Sequence, residues 1–187
     1  AGAGHEVLLV GRILDGSIPF HPKGYTSHRL QCFFNTGKLF YTEMNIRLFL
    51  FLLFRKFDAV CSIDLDTILP GYLATRIRQK PLVYDAHEYF TEVPEVIHRN
   101  AVKWFWLKVE AWIIPRVEYA YTVNQSLARM FTEKYRKHFD VIYSVPILKD
   151  HPQEDHFYDR ILIYQGALNT ARGLEAIIDA MSGVDAT

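Results

Sequence analysis

Short β-rich runs alternate with longer helical stretches along the chain. Residues 6–10 form a near-continuous apolar strand that Gly11 should stop, and residues 29–34 form a second candidate strand. Residues 42–56 read as a helix with Thr42 as its cap. Met44, Ile46 and the run from Leu48 to Phe54 cover most of its faces, the mark of a helix buried on several sides or set against a partner. Residues 58–63 predict a strand and residues 66–79 a helix entered through Asp64, Leu65, Asp66 and Thr67. Pro70 and Gly71 interrupt the early part of that helix. Then follow a strand at 81–85, a helix at 101–114 stopped by Pro115, a strand at 118–123, a helix at 125–136 capped by Asn124, and a short strand at 141–144. After a proline-containing polar stretch, residues 161–165 predict a strand, 166–172 a turn and 173–181 a helix.

Strands interleaved with helices in this way predict βαβ units and a parallel sheet. Right-handed crossovers then lead to an α/β fold, Rossmann-like, with helices on both faces of the sheet. Ligands of such sheets bind beyond the carboxyl ends of the strands. The residues found there are Gly11 and Arg12; Asp64 to Asp66; Asp85 to Glu88; Asn124 to Ser126; and Gly166 to Asn169.

The chain has 187 residues, 50% of them hydrophobic, and 21 basic side chains balance 21 acidic ones. That composition is globular, and zero net charge removes the electrostatic case for nucleic-acid binding. Two cysteines, Cys32 and Cys61, are too few for a disulfide framework and point to a reducing compartment. Their spacing does not suggest a metal site, and the eight histidines form no HxH or HExxH pattern. The longest apolar run covers seven residues, from Leu48 to Phe54, whereas a membrane span needs about 20. GxSxG and GxGxxG are absent, which argues against a hydrolase elbow and a nicotinamide dehydrogenase.

His87 is the leading functional candidate. It follows a buried-type strand and sits between Asp85 and Glu88, where a carboxylate can fix its tautomer. A purely structural histidine tying down its loop is the competing reading. The turn from Gly166 to Gly173 lets backbone approach a ligand, its helix N-terminus favours phosphate, and Arg172 can add a charge-assisted contact. By itself this is also what an ordinary βα turn looks like. In the helix at 101–114 all three tryptophans lie near Lys103, Lys108 and Arg116, a pairing suited to lipid headgroups. The plainer alternative packs Trp104 and Trp106 under the loop after His87 or in a cleft.

The segments GHEVLLVGR (4–12), KPLVYDAHEYFTEVPEV (80–96), YTVNQSLARMF (121–131) and ILIYQGALNTARGLEAIIDAM (161–181) together resemble bacterial retaining glycosyltransferases of family 4. Those enzymes have the GT-B architecture of two Rossmann-like domains across a cleft. The resemblance implies transfer of a sugar, with retention, from a nucleotide-sugar to a glycan or lipid-linked acceptor in surface-polysaccharide synthesis. It implies His87 as the catalytic-centre histidine and Asp85, Glu88 and Asn124 as its support in the acceptor cleft. Gly166, Asn169, Arg172 and Gly173 would contact the donor, with Ala167 standing where many relatives carry a basic residue. No metal or other cofactor is implied. A cytoplasmic location follows, with peripheral contact at the inner face of the membrane. The implied division is an acceptor-side domain at 1–144 lacking its first βα unit, a linker at 145–159, and the start of a donor-binding domain at 160–187. Such a fragment alone would be inactive. The alternative function is a non-catalytic Rossmann-like binding module.

Overall fold

The computed structural model describes residues 4–19, 24–146, 162–166, 168 and 173–184. Strands β1 (Leu8–Arg12) and β2 (Thr26–Leu30) pair in parallel as a two-stranded sheet. Strands β3 (Val60–Ile63), β4 (Leu82–Ala86), β5 (Tyr119–Thr122) and β6 (Asp140–Val141) form a second parallel sheet in that order. Helices connect the strands: α1 (Gly37–Phe54), α2 (Leu65–Arg78), the short α3 (Pro94–Ile97), α4 (Asn100–Ile113) and α5 (Gln125–Tyr135), with α6 (Leu174–Met181) near the end. The α/β class and the parallel strands are those that the alternating pattern predicts.

The main core lies between the second sheet and α2, α4 and α5. Leu65 and Ile68 of α2, Tyr84 of β4, Ile113 of α4 and Phe131 of α5 are fully buried in it. Each such apolar side chain contributes about 1.5–3 kcal/mol by leaving water. A smaller cluster joins the two sheets. Leu48 and Leu52 of α1 bury themselves with Ala74 of α2 and touch Val10, Leu30 and Val60. Helix α1 therefore bridges both sheets, while β1 and β3 each keep one edge without a strand partner among the described residues.

Several boundaries differ from expectation, for physical reasons. The first strand runs through Gly11 to Arg12, because the ladder continues as Ile13 N–H donates to the Leu30 carbonyl. The second strand ends at Leu30 rather than Phe34. The backbone N–H groups of Phe33 and Phe34 donate instead to the Glu43 carboxylate, which Arg47 holds at 2.7 Å. Helix α1 starts a turn before Thr42, whose hydroxyl donates to the Lys38 carbonyl inside the helix. Tertiary contacts support that extra turn, with the Arg12 guanidinium over Phe40 and Tyr41 edge-on to Trp106. Residues 162–165 take no strand pairing, so the expected strand at 161–165 is not formed among the described residues. The linker at 147–159 lies outside the described residues.

Pro70 sits inside α2 without ending it. A proline has no N–H to give to the carbonyl four residues back, here that of Asp66. The Asn45 side chain of α1 fills that role, its amide nitrogen donating to the Asp66 carbonyl at 3.1 Å. Gly71, next to Pro70, lets α2 approach the sheet: an added Cβ would meet Ser62 Oγ well inside contact distance and Leu82 Cδ1 at 3.4 Å. We expect Asn45→Ala to cost about 1–2 kcal/mol in urea unfolding. In a Pro70→Ala background, where the backbone donor is restored, the same change should cost much less. Equal costs in the two backgrounds would show that the side chain does not compensate for the proline.

Candidate active site at the carboxyl edge of the sheet

Three strand ends meet at one edge. β4 ends in Asp85 and Ala86, β3 leads into Asp64, and Tyr121 and Thr122 close β5. The parallel register places Asp85 opposite Ile63 on one side and Tyr121 on the other. The Thr122 hydroxyl donates to the Ala86 carbonyl at 2.6 Å, fastening β5 to the last residue of β4.

Asp85 is buried, with 5% of its surface exposed, so its carboxylate needs donors. Its Oδ2 accepts from the Tyr121 hydroxyl at 2.8 Å and meets His87 Nε2 at 3.0 Å. Its Oδ1 is buried with no hydrogen-bond partner among the described residues. Burial, and then the bond to Asp85, push the Tyr121 phenol above its ordinary value, which keeps it a donor. A carboxylate only accepts, so Nε2 of His87 carries the hydrogen and Nδ1 of the neutral ring is left as an acceptor. The His87 side chain is 43% exposed, so the ring is held at its base and open to a ligand.

Asp64 holds the backbone of the same loop. It adopts a left-handed φ of 57°, uncommon for a residue other than glycine. Its N–H donates to the Asp85 carbonyl at 2.8 Å, and its Oδ1 accepts from the His87 backbone N–H at 3.0 Å. Strain of this kind persists where the surroundings over-determine it, and it clusters at functional sites. Asp66 follows in the first turn of α2. Burial first, and then the charge of Asp64, push its carboxyl up to about 6.

A second set of contacts pins the far side of the loop. The Lys134 ammonium donates to the Tyr89 hydroxyl at 2.8 Å and to the buried Glu110 carboxylate at 3.1 Å. Phe90 packs edge-on against Trp106, and Lys103 pairs with Glu92 at 2.7 Å.

The structure thus brings Asp85 and His87 into contact, while Glu88 stands exposed beside them and gives no side-chain contact here. Asn124 caps α5, its Oδ1 accepting the Leu127 N–H at 2.9 Å. Gly173 caps α6 in the left-handed region at φ 73°, which suits glycine, and Gly166 is described without a ligand-like contact. Asn169, Arg172 and Ala167 lie outside the described residues. Trp106 packs under the loop after His87, while Trp104 is exposed with the Lys108 ammonium over its ring. Sequence reasoning passed over Asp64, Asp66 and Tyr121 as site residues. The acidic pair directly after a strand was the available signal for the first two. Tyr121 needed the β4–β5 register. Among the described residues no group of three His, Cys, Asp or Glu could hold a metal ion, and no helix is long and apolar enough to cross a membrane.

The raised carboxyl of Asp66 gives a signed expectation. Between about pH 4 and 6 the folded state binds more protons than the unfolded chain, so stability falls as pH rises through that window. Asp66→Asn cannot titrate. It should therefore gain stability over the native chain as pH rises from 4 to 7, by about 1 kcal/mol once solvent screening is allowed for. Urea unfolding of both proteins across that range measures it, and a flat difference would show an ordinary carboxylate.

No curated protein matches the chain. The family model described as Glycosyltransferase Family 4 matches residues 1–145, which contain the whole of both sheets and the Asp64–Asp85–His87 edge. The protein belongs to glycosyltransferase family 4.

Proposed function

We propose that the protein transfers a sugar from a nucleotide-sugar donor to a glycan or lipid-linked acceptor, with retention, in surface-polysaccharide synthesis. The supporting observation is the buried Asp85 carboxylate, which anchors His87 by Nε2 and leaves Nδ1 toward solvent at the ligand-binding edge of a parallel sheet. Family membership supports the sugar-transfer chemistry. In this reading residues 1–144 are the acceptor side and 160–187 the start of the donor side. The free edges of β1 and β3 suit a further parallel strand between them.

In the proposed reaction the anomeric carbon–oxygen bond of the donor breaks through an oxocarbenium-like state. The leaving diphosphate oxygen takes the acceptor's hydroxyl proton, and the acceptor oxygen bonds the same face of the sugar. The protein then supplies position and charge rather than a nucleophile. His87 Nδ1 accepts a hydrogen bond from a sugar hydroxyl. The turn containing Gly166, Asn169 and Arg172, with the helix N-terminus after Gly173, receives the diphosphate. Glu88 and Asn124 border the acceptor.

In the full-length protein, His87→Ala should lower kcat/KM by about 100-fold, roughly 2.7 kcal/mol of transition-state stabilisation, with Tm little changed. Asp85→Asn should lose much of the same activity, and adding His87→Ala to it should cost little more, because the two act as one unit. Near-native turnover of His87→Ala overturns the assignment. The anomeric configuration of the product, read by NMR, tests retention directly, and an inverted product rejects it.

A further inference from the structure

A cavity of about 430 Å3 lies where the N-terminal halves of α1 and α4 converge over α2. That is within the range of small-molecule sites, about 300–1,000 Å3. Tyr41, Ile46, Leu69, Val102, Phe105 and Trp106 form its apolar wall. Its polar groups all come from α1: Lys38, Thr42 and Asn45, spaced so that they fall along one side of the helix. Lys38 is the one charge on the wall and forms no ion pair among the described residues. Asn45 spends its amide nitrogen on the Tyr41 and Asp66 carbonyls, and its Oδ1 is buried with no partner among the described residues.

The surface around the cavity is also apolar. Leu39 and Ile46 on α1, and Trp104 and Phe105 on α4, are exposed. In α1 these residues lie opposite the buried Leu48 and Leu52, so core packing does not account for them. A sugar would want more polar partners than this wall offers, and a water cluster likewise. A hydrocarbon chain fits the wall. An anionic head with a donor hydroxyl beside its charge, such as a phosphate monoester, fits Lys38 and the open acceptor of Asn45.

We propose that this cavity binds the hydrocarbon chain of a single-tailed anionic amphiphile, with its phosphate-type head at Lys38. It deepens the acceptor side of the proposed function by naming a lipid-like ligand, and it rests on that reading only for its biological use, because binding is measured without turnover. The ligand's source is either solution or a bilayer.

Calorimetric titration with monomeric decyl phosphate, decyl maltoside and inorganic phosphate tests it, alongside flotation with phosphatidylcholine vesicles lacking or containing phosphatidylglycerol. Decyl phosphate should bind one site, and inorganic phosphate should not. Lys38→Glu should weaken binding by about tenfold or more. Ile46→Trp and Ala101→Leu, both at exposed wall positions, should do the same by filling the space, with Tm unchanged. If the ligand comes from a bilayer, anionic vesicles carry the native protein and release these variants. If it comes from solution, decyl phosphate binds and vesicles do not. Binding in neither arm overturns the proposal, as does equal binding by the filled variants, equal affinity for decyl maltoside, or a concentration-dependent dimer that the same variants dissociate.

Discussion

The buried carboxylate of Asp85 is the constraint on which the rest of the site depends. A charge with so little exposure is costly unless donors surround it. It obtains two from different places, the Tyr121 hydroxyl from the neighbouring strand and His87 Nε2 from its own loop. The first contact works only in the observed β4–β5 register, and the second determines which ring nitrogen faces solvent. One desolvated oxygen atom thus links strand pairing to imidazole tautomer. Asp64 secures the backbone of the same loop from the other side, at the expense of an uncommon conformation.

The scaffold behind this edge shows a similar substitution of side chain for backbone. Helix α2 carries a proline in its interior and a glycine beside it, both unfavourable for an isolated helix. Each has a tertiary reason. Gly71 allows the close approach to Ser62, and Asn45 supplies the hydrogen bond that Pro70 cannot. The cost in local propensity is offset by packing α1, α2 and β3 more closely than a regular helix would permit. Glu43 acts in the same manner on Phe33 and Phe34, turning the chain out of β2 with side-chain acceptors.

Helix α1 has a double role. Its inner side joins the two sheets through Leu48 and Leu52, while its outer side keeps Leu39, Ile46, Leu50 and Phe54 exposed. The expectation that this helix is apolar nearly all round was therefore correct as a pattern, yet burial claims only one side. The helix that carries all three tryptophans divides likewise: Trp106 is core beneath the loop of His87, and Trp104 is surface.

Alternation of β-rich and helical segments determined the parallel α/β fold, since each strand must be crossed over by a helix to pair in parallel. The strand ends also marked the site. Asp85 and His87 were legible because two polar groups directly after an apolar strand have few local uses, and Asn124 because caps are local. Boundaries were not, since Thr42 and Phe34 were overruled by contacts with residues far along the chain. Nor could the sequence distinguish Asp64 and Asp66 from helix caps, or find Tyr121 at all. Their roles depend on which residues stand across a strand pair and how much water remains between them, and only the tertiary structure decides distance and burial.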